Sequence, residues 1–304
     1  MRRLIHQVSF LLLKLSCVCS LQSQCLLNAY KPLQTPAEEL ELLPDTASYY
    51  QEEEVYSNDS LIHARTIMTM HNYGDIRVAA YNDEYSHAQF DKLVSLRQMD
   101  DSLWVQTTEY YYSSGLFTDT LLVWMKKGVV NKAVTQSGGE KTFQYTYNDK
   151  GQLIQKKIVD FKNVETICNY VYLEGKLLSM KCGSTPLDSH TISITYTDTL
   201  ITELDMDLRK GRAYLSKYYY RLDTCGNILT KQGYSKFSDE ADYGPTINAD
   251  YSYFSDGTWQ LNASQALTGE SWVINHFPNA HYPGFRFVMN GENVERVMRT
   301  IWIN

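Results

Sequence analysis

Two histidines five residues apart, His276 and His281, flank a Phe-Pro loop inside "ESWVINHFPNAHYPGFRF" at 270–287. Imidazoles at that separation could ligate a metal if an acid such as Glu270 or Asp256 joined them. No third ligand stands at a telling spacing, so a loop packed on its own aromatics explains the segment better. Asp205 and Asp207 are a carboxylate pair that could serve glycoside hydrolysis. Two residues apart on a strand they share one face, and a solvated strand face explains them better. Cys225 and His190 do not form a recognisable nucleophile–base arrangement. The chain has no Gly-x-Ser-x-Gly elbow, no Ser-x-x-Lys and no glycine-rich phosphate loop. These residues predict no catalytic centre, no cofactor and no bound metal. A secreted hydrolase working at the 270–287 loop is the enzymatic alternative.

The elements that would have to position any such group read as β-structure. The chain has 304 residues, with 24 tyrosines against 10 phenylalanines and 5 tryptophans. Tyrosine suits a pleated sheet with one dry and one wet face, because its ring packs while its hydroxyl reaches water. Hydrophobic content of 43% and charged content of 21% are those of a globular protein. The formal charge is −7, and Lys and Arg are not clustered beyond the first residues, which argues against a nucleic-acid partner.

The N-terminus reads as an export signal over residues 1–20. Arg2 and Arg3 precede a short apolar stretch from Val8 to Leu15, interrupted by Lys14. Such a stretch is too short to span a bilayer, which takes about 20 apolar residues. Cys17, after Leu15-Ser16, is a candidate lipidation residue, which would make an N-terminal lipid anchor the one link to a membrane. Cleavage after Ser20 is the competing fate. Residues 21–60, with "PAEELELLPDTASYYQEEE" at 36–54, read as an acidic linker carrying a short helical turn. The β-hairpin domain is expected over 61–304.

Beyond the signal lie Cys25, Cys168, Cys182 and Cys225. A three-residue loop at Glu174–Lys176 would bring Cys168 opposite Cys182, whereas a two-residue loop at Glu174–Gly175 would put them out of step. A directly opposed pair is often strained, which favours free thiols, and Cys225 is expected to be unpaired in a turn.

One phrase recurs along the chain. In "YTYNDKGQL", Tyr145, Tyr147, Gly151 and Leu153 stand at offsets 0, 2, 6 and 8. The same offsets hold for Tyr220, Leu222, Gly226 and Ile228, and for Tyr251, Tyr253, Gly257 and Trp259. A copy one residue shorter stands at Tyr170, Tyr172, Gly175 and Leu177, and a worn copy at Ile194, Tyr196 and Leu200. The second positions, 147, 172, 196, 222 and 253, step by 25, 24, 26 and 31. Each unit holds two strands and a tight turn, and no hairpin of that size persists alone. The prediction is an all-β fold of tandem antiparallel hairpins forming a long twisted meander, curled toward an open barrel, with the clearest repeats over 140–265. "NGENVERVMRTIWI" at the C-terminus is read as a closing hairpin, with a helix over 292–303 as the alternative.

Tyr-x-Tyr-Asn-x-x-Gly at 145–151 and Leu-Asp-x-x-Gly at 222–226 resemble the YD repeat of Rhs-type bacterial cell-surface proteins. Gln152, Lys176, Asn227 and Thr258 stand where that motif often has arginine. The resemblance implies a secreted or envelope-associated hairpin array that binds or scaffolds, toward a glycan or another surface protein, and it offers no catalytic residues. A wet row of Tyr112, Tyr145, Tyr170 and Tyr251 could stack on sugar rings or clasp a peptide. Packing of the sheet against its own neighbours is the stronger reading of those rings. An outer-membrane barrel is the third alternative, disfavoured because charges such as Lys156-Lys157 fall on both faces.

Overall fold

The computed structural model describes residues 29–302 apart from 45–47, 58–59, 82–91, 113, 137–138, 186–187, 255–257, 267, 270, 277–283 and 291–292. The export signal and Cys17 lie outside the described residues. A four-residue helix α1 (Pro36–Glu39) precedes the sheet, capped by Thr35, whose hydroxyl accepts from the Glu38 amide while Glu38 accepts from the Thr35 amide.

Among the described residues twenty strands follow. The first ten are β1 (Tyr49–Ser57), β2 (Ser60–Asn72), β3 (Ile76–Tyr81), β4 (Lys92–Gln98), β5 (Leu103–Tyr112), β6 (Gly115–Lys126), β7 (Val129–Thr135), β8 (Lys141–Tyr147), β9 (Leu153–Val159) and β10 (Glu165–Leu173). The second ten are β11 (Lys176–Thr185), β12 (Asp188–Tyr196), β13 (Leu200–Arg209), β14 (Arg212–Leu222), β15 (Ile228–Phe237), β16 (Gly244–Tyr253), β17 (Trp259–Gln265), β18 (Ser271–His276), β19 (Gly284–Asn290) and β20 (Asn293–Trp302). Each strand pairs antiparallel with the next, so the predicted meander of tandem hairpins is the fold. The C-terminal segment is the second strand of a hairpin, with Asn290 opposite Asn293.

The ends of the meander meet. Tyr49 to Val55 of β1 pair with Trp302 to Arg296 of β20, while β1 also pairs with β2. The curl therefore goes further than an open barrel: the ladder returns to its first strand and leaves no sheet edge there. Closure corrects the reading of residues 21–60 as a linker. Glu52–Glu54 sit inside β1, and the tertiary partner overrides glutamate's weak preference for strands.

Alternation assigns the faces. Ile194, Glu203, Tyr218 and Gly233 lie in one cross-strand row, and Cys168, Cys182, His190 and Asp207 in another on the same face. That face carries the core, including Met70, Ala79, Leu96, Val123, Tyr145, Tyr170, Ile192 and Tyr220. Residues 29–44 run across it as a strap. Tyr30 and Leu33 pack on the β10–β15 cluster, Ala37, Leu40 and Leu42 on the β6–β8 cluster, and Leu43 beside Met70 and Leu96. Full burial of a leucine such as Leu43 contributes about 1.5–3 kcal/mol, and the half-buried residues of the strap contribute less. Polar contacts also fix the strap. Lys156 Nζ meets Glu39 at 2.7 Å, Arg77 Nη1 donates to the Leu43 carbonyl at 2.8 Å, and the Leu43 amide donates to Gln106 at 3.2 Å. One strap touching β3, β5, β9 and β13 marks this face as the inner one.

The outward face is mixed, with exposed Val171, Leu204 and Met206 beside two rows that are polar at mid-strand. Gln155 lies opposite Asn169 and Asn169 opposite Lys181, and Gln232 lies opposite Asn248 and Asn248 opposite Ser264. All six are exposed.

The repeated phrase is also a repeated geometry. Asn148 Oδ1 accepts from the amides of Lys150 and Gln152 at 3.0 and 2.9 Å, and Asp223 Oδ1 from those of Cys225 and Asn227 at 2.8 and 2.9 Å. In two of the phrases the second tyrosine ties its hairpin to the preceding one. Tyr147 donates to the Val130 carbonyl at 2.7 Å and Tyr253 to the Ile228 carbonyl at 2.6 Å.

Cys168 and Cys182 are opposite one another and disulfide-bonded, which corrects the expectation of free thiols. The loop is the two-residue one, Glu174–Gly175, with positive φ at both positions as a tight hairpin demands. A bulge between Val171 and Tyr172 restores the register that this loop would otherwise have lost. Cys225 is disulfide-bonded too, not unpaired, and its partner lies outside the described residues.

Candidate functional site

Because strands alternate in direction, the connections fall at two ends of the barrel. The repeat-turn end carries 148–152, 174–175, 197–199 and 223–227. The far end carries 136–140, 160–164 and 210–211.

At the repeat-turn end the strap stands off the sheet and leaves a cleft of about 980 Å3. Its floor is apolar and aromatic, with Tyr172, Tyr196, Leu177, Ile201 and Leu222, and its rim carries Lys31, Glu38, Lys176 and Asp198. An apolar floor with a few polar groups at the mouth is the usual composition of a ligand seat. Lys176 Nζ lies 5.3 Å from the Tyr196 ring centre, and burial pushes the Tyr196 phenol up to about 12. That ring stays neutral and donates across any ordinary pH.

Tyr30 closes the inner side of the cleft and enters a polar cluster. Its hydroxyl donates to Glu203 Oε2 in a short contact, and Tyr220 donates to the same oxygen at 3.5 Å. Its ring lies 4.7 Å from that of Tyr220. Burial pushes the Tyr30 phenol far above its ordinary value, with Glu203 adding to the effect, and burial also raises the Glu203 carboxyl. Lys231 lies 5.0 and 5.4 Å from the ring centres of Tyr218 and Tyr220, and burial pushes its ammonium down while Glu203 opposes the shift. Glu203 and Lys231 thus temper each other's desolvation, and the cluster latches the strap rather than opening to solvent.

Asp205 and Asp207 share one strand face and remain partly exposed. They line the inner face, where Asp205 Oδ1 meets His190 Nε2 at 2.7 Å and Asp207 meets Arg209 at 2.7 Å. The Asp205 hydrogen bond raises the His190 imidazole, with burial opposing it. Engaged in these pairs, the two carboxylates do not form a free acid–base couple.

The tyrosines taken as one wet row separate. Tyr145 and Tyr170 are buried, at 5% and 8% exposure, and Tyr251 packs half-buried against the β10–β15 cluster beside Trp259. Tyr112 alone of the four is widely exposed, at 59%. The even spacing that made these rings conspicuous is the spacing of core positions, so only Tyr112, outside the regular repeat, remains available to a ligand. His276 ends β18, while His281, Glu270 and Asp256 lie outside the described residues. Among the described residues no cluster of three metal-binding side chains occurs. Nothing in the sequence pointed to the cleft, because the strap that forms it reads locally as a linker.

No family model matches the chain, and no curated protein matches it. Among solved structures, a porin-like protein from Bacteroides uniformis is similar at 12% identity over 85% of this chain and 98% of that one, with a TM-score of 0.35. An overlap that low transfers neither function nor detailed architecture.

Proposed function

We propose that this is an exported, envelope-associated protein of the YD-repeat type that binds or scaffolds without catalysis. Its partner is a glycan or another surface protein, seated in the cleft under the strap. The observation that carries this reading is the division of the two faces. The inner face holds the protein's own strap and core tyrosines, and the outward rows through Asn169 and Asn248 are polar, so that exposed Val171, Leu204 and Met206 form no continuous apolar band. A lipid-facing barrel needs the reverse, an apolar outward band. Disulfide-bonded cysteines at 168, 182 and 225 support export, since such bonds persist in oxidising compartments. The matching Asx turns at 148–152 and 223–227 support the YD-repeat resemblance.

The test is a binding screen of the mature protein against envelope glycans and surface proteins, repeated with Tyr196→Ala and Lys176→Ala. The expected result is a stable complex, weakened about tenfold by each substitution, with the partner unaltered. Chemical turnover of the partner would sink the non-catalytic reading, and a requirement for detergent would favour the membrane barrel.

A further inference from the structure

At the far end, the β5–β6 hairpin extends beyond the pairing of its neighbours. The β4 ladder stops at Lys92 opposite Tyr110, and the β7 ladder stops at Thr135 opposite Leu121. On the inner-facing side of this projecting tip stand Tyr110, Tyr112 and Phe117. The Tyr110 and Tyr112 rings are parallel within 4° at 6.0 Å between centres, and Phe117 lies 6.0 Å from Tyr110. Tyr112 is opposite Gly115, so no side chain covers it across the hairpin, and it is 59% exposed, with Phe117 at 45%.

Tyr110 is also a wall of a cavity of about 320 Å3 that opens beneath the tip. Lys92, Lys141, Asp119 and Glu41 line it together with Gln106 and Thr108. Two cations and two carboxylates balance, so neither an anionic nor a cationic ligand is favoured. An acyl chain would leave these groups desolvated and unpaired. The set offers both donors and acceptors, which hydroxyl groups satisfy in either direction. Exposed rings adjoining such a set suit a molecule with apolar C–H faces and many hydroxyls. A peptide adding a strand would draw on backbone at a sheet edge, whereas what is presented here is ring faces and side-chain polar atoms.

We propose that the β5–β6 tip and the cavity beneath it form a binding site for a neutral oligosaccharide, one unit entering the cavity and the next lying on Tyr112 and Phe117. This site is at the opposite end from the cleft and does not depend on it. The volume is at the lower bound of small-molecule sites, about 300–1,000 Å3, which fits a short terminal segment rather than a long enclosed chain.

The mature protein is titrated by calorimetry with maltohexaose, cellohexaose, xylohexaose and chitohexaose, and with a Gly/Ser octapeptide. Tyr112→Ala, Phe117→Ala and Asp119→Asn are compared with Tyr196→Ala in the cleft. At least one hexasaccharide is expected to bind, with Kd raised about tenfold by each tip or cavity substitution and unchanged by Tyr196→Ala. Since the Tyr112 and Phe117 rings are exposed, far-ultraviolet circular dichroism should show both variants folded. Should a variant be misfolded, saturation-transfer contacts on the tyrosine ring protons of the unaltered protein decide in its place. Binding by the octapeptide alone, binding lost only in the cleft variant, or no binding to any of the four sugars overturns the proposal.

Discussion

The two ends of this barrel are made by the same twenty strands and treat their tyrosines in opposite ways. At the repeat-turn end the phrase Tyr-x-Tyr–turn–Gly serves mainly architecture, leaving only Tyr172 and Tyr196 of the repeat tyrosines named here on the cleft floor. Tyr145 and Tyr170 are buried, and Tyr147 and Tyr253 donate to the backbone of the preceding hairpin. At the far end Tyr112 and Phe117, on a hairpin outside the repeat, face solvent above a polar cavity. Regular spacing marks rings that hold hairpins together, because every hairpin meets the same neighbour in the same way. A ring that breaks the spacing is released from that duty.

The sharpest way to break this contrast is to truncate one ring at each end. Tyr170→Ala should lower stability by about 3–5 kcal/mol in urea unfolding, the usual cost of deleting a buried aromatic, whereas Tyr112→Ala should stay within about 0.5 kcal/mol. Similar costs for the two would remove the distinction.

Next in size is the Cys168–Cys182 bond, whose partners are 14 residues apart. Replacing both by serine should cost about 2–4 kcal/mol, and adding reductant to the unaltered protein should cost at least as much, since it also opens the bond at Cys225. Gly151 has φ of 77° with open space around a would-be Cβ, so Gly151→Ala tests backbone strain alone, at about 1–2 kcal/mol.

The two tyrosines of one phrase should respond differently to loss of the hydroxyl alone. Tyr147→Phe strands the Val130 carbonyl and should cost about 0.5–1.5 kcal/mol. The buried Tyr145 hydroxyl has no hydrogen-bond partner among the described residues, so Tyr145→Phe should be neutral or stabilising. Equal losses in both would refute their separate roles.

The smallest effect concerns pH. Because the Asp205 hydrogen bond raises the folded His190, the stability it adds is fully present below the unfolded imidazole value, about 6.5, and fades as pH rises through the raised folded value. In Asp205→Asn the imidazole titration, followed by NMR, should move down, and the difference in stability from the unaltered protein should vanish at alkaline pH.

Much of this architecture is written in local chemistry. Asn148, Asp223 and the glycines after them specify turns within five residues, and alternation assigns strands from 141 to 265 without knowledge of their neighbours. Three features had no such local signature. Strand β1 hides in "YYQEEEVYS", where three glutamates outweigh the alternation until β20 supplies a partner. The cysteine register depends on a bulge between Val171 and Tyr172, which a count of loop residues does not reveal. Asp205 acquires His190 only once β12 and β13 pair.

Residue types and their intervals alone determined that hairpins form, how long they are and that they must stack, because turn conformation and strand alternation are short-range effects. Whether the stack closed, which tyrosines it hid, and what space the strap left beneath itself were decided by contacts between residues far apart in the chain. Those contacts depend on where accumulated twist carries the last strand, and no short stretch of residues encodes that position.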